Sequence, residues 1–192
     1  MNYDQISLHT DRLKLVPINP DFLQDVFDGY RGSVVTYMNY DPAERIEDLA
    51  ELIDQWQDNM KAGTMFFAAV VNKANEEFLG CMMINGIGKD IPEMGGWLKP
   101  TAHGSGFGRE AAEAIRSWAD EHLEFHHIVW PCAIENTASC KLAESLGGEI
   151  GRVHEYTSFR NTTYMFRDYW FRKTRPETTS SSKPQNHGHA DS

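Results

Sequence analysis

The sequence predicts a mixed α+β domain, and three observations predict it. Short apolar or alternating runs of strand length recur along the chain. Between them lie stretches whose apolar residues recur at helical spacing. One strand-like run, Glu93-Met94-Gly95-Gly96-Trp97-Leu98, stops at Pro100 and passes through a glycine-dense turn, His103-Gly104-Ser105-Gly106-Phe107-Gly108, straight into a long amphipathic helix. At 192 residues and 41% hydrophobic content the chain suits one domain able to bury a sizeable core. That domain is expected over residues 1–175. Residues 176–192 are rich in Ser, Thr, Asn, His and Gly, without large apolar side chains to bury, so a disordered polar tail is expected there.

The elements follow in order. Arg12-Leu13-Lys14-Leu15-Val16 alternates and reads as a strand ended by Pro17. Asn19, Pro20 and Asp21 have the form of an N-cap, a first-turn proline and a first-turn acid, opening a helix with the stripe Phe22, Leu23, Val26 and Phe27. A second helix is expected to begin at Asp41 as N-cap, with Pro42 next and Glu44 completing a capping box. Ile46, Leu49, Ile53, Trp56 and Met60 form its stripe, and Gly63 its C-terminal cap. Residues 65–71 and 78–84 read as two apolar strands joined through Asn72-Lys73-Ala74-Asn75 in a hairpin. The glycines of 93–98 suggest a bulge or a close backbone approach. A helix over about residues 107–123 buries Ala111, Ile115, Trp118 and Ala119. His127-Ile128-Val129-Trp130 is a strand, and Pro131 after it cannot donate to a ladder, so the strand must leave its neighbour or lie unpaired there. Asn136 caps a helix bearing Ala138, Leu142 and Leu146 and closed by Gly147. Residues 153–159 and 162–172 form a last hairpin across Arg160-Asn161.

Composition excludes several classes. A net charge of −10 argues against direct nucleic-acid binding, which relies on a basic surface. No run approaches the roughly 20 apolar residues of a membrane span, and Met1-Asn2-Tyr3-Asp4-Gln5 lacks a signal peptide's basic and apolar blocks, so a cytoplasmic protein away from membranes is expected. Cys81, Cys132 and Cys140 are widely spaced, without a C-x-x-C, and read as small apolar residues. No metal site is expected; His187 and His189 in the tail are weak candidates for one. The acidic balance suits solubility, and equally the steering of cationic substrates.

The glycine turn carries the chemistry. Glycine lets backbone amides approach a ligand, and the first turn of a helix has N–H groups without internal partners at the positive end of its dipole. Together they make a phosphate cradle. A P-loop would need Lys-Ser or Lys-Thr after the last glycine, where this chain has Arg109-Glu110, and a dinucleotide-binding G-x-G-x-x-G from Gly104 would need glycine at Arg109. A glycine-rich helix start without a ligand is the other reading.

The turn resembles the acyl-CoA-binding signature of the GNAT acyltransferases, Gln/Arg-x-x-Gly-x-Gly/Ala, with His103 in place of Gln or Arg. The element order resembles the GNAT fold over nearly the whole chain. Thr10-Asp11-Arg12-Leu13-Lys14-Leu15, Glu93-Met94-Gly95-Gly96-Trp97-Leu98, and Asn136-Thr137-Ala138-Ser139 leading to Leu146-Gly147 are similar to the ribosomal-protein-alanine/serine N-acetyltransferase (RimJ/RimL-like) branch. The resemblance implies a central, mostly antiparallel sheet flanked by helices, with one parallel pair, ending at Leu98 and Trp130, that splays to admit pantetheine. It implies acetyl-CoA as donor co-substrate, with pantetheine paired to backbone near Trp97 and Leu98 and contacted by Asn136, and pyrophosphate held from His103 through Gly104, Ser105, Gly106, Phe107, Gly108 and Arg109. It further implies direct acetyl transfer to a primary amine, a peptide N-terminus or a small molecule, by a cytoplasmic monomer or homodimer.

Such transfer needs a base, oxyanion donors and an acid for the thiolate. By resemblance Glu93 is the base, and Ser139 protonates the sulfur or places the acetyl group. Glu93 could instead be a solvated strand-edge carboxylate, and Ser139 a polar residue in a first helical turn. The tyrosine that many GNAT enzymes use as acid is replaced by Ala143, and an aromatic common in the family by Gly148. Tyr37, Tyr40, His126 and Tyr164 are further polar aromatics whose simpler reading is core or surface. These departures keep open a second function class, an acyl-CoA-binding domain of the same fold without turnover.

Overall fold

The computed structural model describes residues 1–159 and 161–174. The tail expected over 176–192, with His187 and His189, lies outside the described residues, as does Arg160 of the last hairpin. Eight strands form one sheet in the order β1-β2-β3-β4-β5-β6-β8-β7. They are β1 (Leu8–His9), β2 (Leu13–Pro17), β3 (Met65–Asn72), β4 (Phe78–Asn85), β5 (Glu93–Leu98), β6 (His127–Ala133), β7 (Glu149–Thr157) and β8 (Thr163–Arg172). All neighbours are antiparallel except β5 and β6. This is the GNAT fold, a mixed, mostly antiparallel sheet flanked by helices α1 (Leu23–Gly29), α2 (Ile46–Ala62), α3 (Phe107–His122) and α4 (Thr137–Ser145).

Alternation along β3 sorts the helices to the two faces. Phe66 meets Trp118 of α3 at 5.0 Å between ring centroids, and its neighbour Phe67 meets Trp56 of α2 at 4.6 Å. The stripes lie inward as patterned: Leu49, Ile53 and Met60 of α2 and Ala111, Ile115, Trp118 and Ala119 of α3 are buried. Full burial of a side chain such as Ile53 or Ile115 contributes about 1.5–3 kcal/mol. Gly63 caps α2 in the left-handed conformation, φ 77°.

Three expectations are corrected. The second helix begins at Ile46, without the capping box placed at Asp41, Pro42 and Glu44. The carbonyls that an earlier helix would spend internally are taken by side chains: Tyr40 O accepts from Tyr30 Oη and Ala43 O from Arg31 Nη2. Next, β6 does not end at Trp130; it runs to Ala133 on β8, with Pro131 opposite Asp168. Lastly, β5 keeps continuous register with β4 and has no bulge. Gly96 answers to a close approach by protein, not ligand, since a Cβ there would lie 2.3 Å from Met82 Sδ and 2.4 Å from Cys81 O.

The first strands are tied to the start of α3 by one carboxylate. Glu110 accepts from Thr10 Oγ1, from Arg12 N at 2.9 Å and from Arg12 Nε at 2.7 Å. Arg12 Nη1 then donates to Ser105 O at 2.9 Å, inside the glycine turn. Desolvation pushes the Glu110 carboxyl up, but the bonds from Thr10 and Arg12 together outweigh it and hold the group below its ordinary value.

Gly96→Ala should lower stability by about 1–3 kcal/mol through overpacking against β4, read as a lower urea midpoint with unchanged slope. Glu110→Gln should cost on the order of 1 kcal/mol near neutral pH. Because the folded group is the stronger acid, its contribution is present above the ordinary carboxylate value and lost as pH falls through the depressed one, so wild type and variant should converge in strong acid in a pH series of thermal melts.

Candidate functional site

The sheet opens where the one parallel pair among the described residues meets. β5 and β6 pair at Glu93 and Val129, and Val129 N donates to Pro92 O at 3.0 Å. Two residues on, the same edge of β6 presents Pro131, which has no N–H to give. β6 stays on β8 while its β5 edge runs free, so the splay is a local consequence of proline at that parity.

The ladder decides which groups of β5 face the gap. Lys99 N donates to Leu79 O at 2.7 Å, which makes the 79/99 and 81/97 pairs the hydrogen-bonded ones. Trp97 therefore spends its backbone on Cys81, a correction to the pairing expected of it. Gly96 and Leu98 are the residues turned to the opening. The Trp97 side chain packs instead against Tyr30 and Phe78.

The glycine turn has the form a phosphate cradle needs. Gly104 and Gly106 sit at φ 77° and 80°, and no side chain caps α3 at Gly106, so the amides of Phe107, Gly108 and Arg109 form an open first turn. The flanking side chains leave it clear: Phe107 lies under the Arg12 guanidinium at 4.6 Å, and Arg109 pairs with Glu113 along the helix at 2.8 Å. Gly108 faces Leu98 and Leu142. Ser105 contributes its carbonyl to Arg12. His103 turns back, with Nε2 3.0 Å from Leu98 O, so this nitrogen is the donor and is spent on the edge of β5. An open glycine turn, an uncapped helix start and free backbone beside it fit a pyrophosphate and an extended amide-bearing arm.

On the other side of β6, Asn136 caps α4 by accepting from Ser139 N at 3.2 Å. Ser139 Oγ accepts from Trp130 Nε1 at 3.1 Å and lies 3.1 Å from Cys132 Sγ. Burial pushes the Cys132 thiol up to about 12, so it stays protonated beside Ser139. Ala143 is fully buried. Gly148 is a glycine because a Cβ there would sit 2.9 Å from both the Phe171 ring and Ala143 O; Phe171 fills the space.

Glu93 lies at the base of a cavity of about 240 Å³ at the mouth of the splay, lined also by Val129, Pro131, Asn39, Asp168 and the β7 residues Arg152, His154 and Tyr156. Burial, with a smaller contribution from the negative charge of Asp168, raises the Glu93 carboxyl above its ordinary value. Asp168 is itself buried, accepting from Arg152 Nε at 3.3 Å. The structure thus brings Glu93 together with acids and bases that sequence reasoning missed. A signal existed: Phe166, Asp168 and Trp170 share one strand face, and an acid at the apolar parity of a strand invites attention. Tyr37 and Tyr40 come from the segment beside Asn39, and they meet Tyr164 at 5.7 Å and Phe159 at 5.2 Å. His126 lies elsewhere, its Nδ1 2.8 Å from His127 Nδ1. Among the described residues no group of His, Cys, Asp and Glu could hold a metal ion, and no helix is long and apolar enough to cross a membrane.

Solved structures share this backbone. Spermidine N-acetyltransferase from Vibrio cholerae in complex with CoA and spermine is 18% identical, with a TM-score of 0.74 over 85% of this chain and 97% of that one. The microcin self-immunity acetyltransferase MccE, in complex with acetyl-CoA and AMP, is 17% identical at 0.76, over 85% and 93%. RimL, a ribosomal alpha-N-protein acetyltransferase in complex with coenzyme A, is 12% identical at 0.79, over 87% and 98%. At these identities the likeness is one of fold. No curated protein matches the chain by sequence. The family described as "Acetyltransferase (GNAT) domain" matches residues 12–149, a span that runs from β2 through the glycine turn and α4. The chain therefore belongs to the GNAT acetyltransferase family.

Proposed function

We propose that this protein is an acetyl-CoA-dependent N-acetyltransferase that moves acetyl to a primary amine by direct attack within a ternary complex. The observation that carries this reading is Glu93: a half-buried carboxyl of raised proton affinity at the mouth of the splay, its oxygens bonded to no other described residue. A base works best when its pKa approaches the working pH, and burial moves Glu93 in that direction. When bound, acetyl-CoA supplies the activated acyl group. The amides of residues 104–109 hold its phosphates, Gly96 and Leu98 offer hydrogen bonds to its arm as an added strand would, and Asn136 and Ser139 flank that arm at the start of α4. Glu93 takes the proton of the acceptor ammonium, directly or through water. Ser139, linked to the Cys132 thiol and the Trp130 indole, can direct a proton toward the leaving sulfur.

The opening, β5 and Asn136 segments support a place in the RimJ/RimL-like branch, which makes a peptide N-terminus one acceptor and a small-molecule amine the other. The domain spans residues 1–175 in this reading, acts in the cytoplasm as a monomer or homodimer, and binds neither nucleic acid nor membrane. A second reading, acyl-CoA binding without turnover, draws on His103, which spends its Nε2 on Leu98 O in place of a phosphate.

Thiol release from acetyl-CoA with a pool of amines and short peptides separates the two readings. Glu93→Gln should lower turnover at neutral pH by about 10²-fold or more while acetyl-CoA affinity holds, and the acid limb of the rate profile should vanish. Unchanged turnover removes Glu93 from the base role. The same variant should melt higher than wild type near neutral pH. A raised folded pKa contributes stability while the group is protonated and loses it as pH rises, so the two should converge below the ordinary carboxylate value. Gly106→Val should weaken acetyl-CoA binding, because φ 80° strains a β-branched residue by roughly 1–2 kcal/mol; calorimetry showing unaltered affinity would move the cradle elsewhere.

A further inference from the structure

The cavity beside Glu93 holds more negative charge than the protein neutralises. Asp168 has a side chain only 9% exposed, yet its one hydrogen bond among the described residues is the 3.3 Å contact from Arg152 Nε, and that arginine side chain is 66% exposed. A carboxylate can accept about four hydrogen bonds, and a buried one left short of partners is costly. His154 adds little: its Nδ1 stands 3.9 Å from Asp168 Oδ2, beyond hydrogen-bond reach, and is buried without a partner among the described residues. Glu93 faces the same space with no hydrogen bond of its own among those residues. A buried carboxylate, a half-buried one, one strongly solvated cation and an orphaned imidazole nitrogen thus surround about 240 Å³.

Resting on the acetyltransferase reading above, we propose that Asp168 binds the acceptor, and that the acceptor is an amine carrying a second positive charge. The reacting ammonium gives its proton to Glu93 and becomes neutral before it attacks. It then no longer balances Asp168. A second ammonium or guanidinium on the same molecule keeps that balance throughout, because Asp168 lies on β8, across β6 from Glu93 on β5, and so can hold one end of the acceptor while Glu93 serves the other. The lone pairs Asp168 has left over accept its N–H groups. A carboxylate in the same place would meet like charge from both acids. The chain's net charge of −10 draws such cations toward the opening.

The test compares three acceptors of equal length, a four-carbon terminal diamine, butylamine and the four-carbon terminal amino acid, by thiol release and by calorimetry. The diamine should show a KM lower than butylamine by about tenfold, the worth of one charge-assisted hydrogen bond, with the amino acid poorest. Asp168→Asn should bring diamine and butylamine within about twofold, through KM and not kcat, with acetyl-CoA affinity kept. Arg152→Gln should do the opposite and tighten the diamine, since it frees Asp168, so a poorly folded Asp168 variant does not decide the matter. Equal KM values for diamine and butylamine in wild type, a preference for the amino acid, or a diamine preference intact in Asp168→Asn would overturn the proposal. If neither these acceptors nor the pool of amines and short peptides releases thiol, the transferase reading fails by itself. Calorimetry still judges this cavity: diamine binding lost in Asp168→Asn supports the cation site, and absence of binding in wild type refutes it.

Discussion

A single missing N–H organises the middle of this molecule. Pro131 stands on β6 at the parity that faces β5, just beyond the last parallel contact at Glu93 and Val129, so the two strands have nothing to gain by continuing together. The opposite edge of β6 stays fully engaged with β8 through Ala133. One strand is thereby rigid on one side and open on the other. The opening leaves Gly96 and Leu98 with backbone groups to offer, places the glycine turn at one end of the gap, and exposes Glu93 at the other.

Rigidity around that gap comes from polar contacts that reach far along the chain. Glu110 joins the first strands to the start of α3, and Arg12 passes the connection on to Ser105 in the turn. The motif Thr10-Asp11-Arg12 thus has a mechanical part, since it orients amides it does not itself supply. Asn136 does the same for α4 and Ser139. A turn of glycines is soft by nature, and a charge clamp outside it limits the conformations open to it.

The Glu93 end is built on the opposite principle. Glu93 is half-buried and Asp168 buried, each with few partners, which works against the fold and fits the proton transfer and cation binding proposed for them. The aromatic contacts of Tyr37 with Tyr164 and of Tyr40 with Phe159 bring the segment around Asn39 over this region, so residues far apart in sequence enclose one small space.

Much was legible in the residues alone. Apolar periodicity located seven of the eight strands and the inward faces of α2 and α3, because period 2 and period 3.6 are local properties of the backbone; on the short α4 it did not, since Cys140 and Ala143 are buried there while Ala138 of the expected stripe is exposed. The glycine turn was legible because only glycine takes φ near +80° without strain. The start of α2 was not: Tyr30 and Arg31, from another element, claimed the carbonyls of Tyr40 and Ala43. Nor was the two-residue β1, too short to carry a period. The sequence by itself thus determined the order of elements, the glycine turn at the start of α3 and the place of Glu93 at the head of β5. Only the tertiary structure decided that Trp97 spends its backbone on β4, that His103 folds onto Leu98, and that Asp168, Arg152 and His154 share a cavity with Glu93. Register across strands and the desolvation of a charge depend on partners distant in the chain, and no local spacing encodes them.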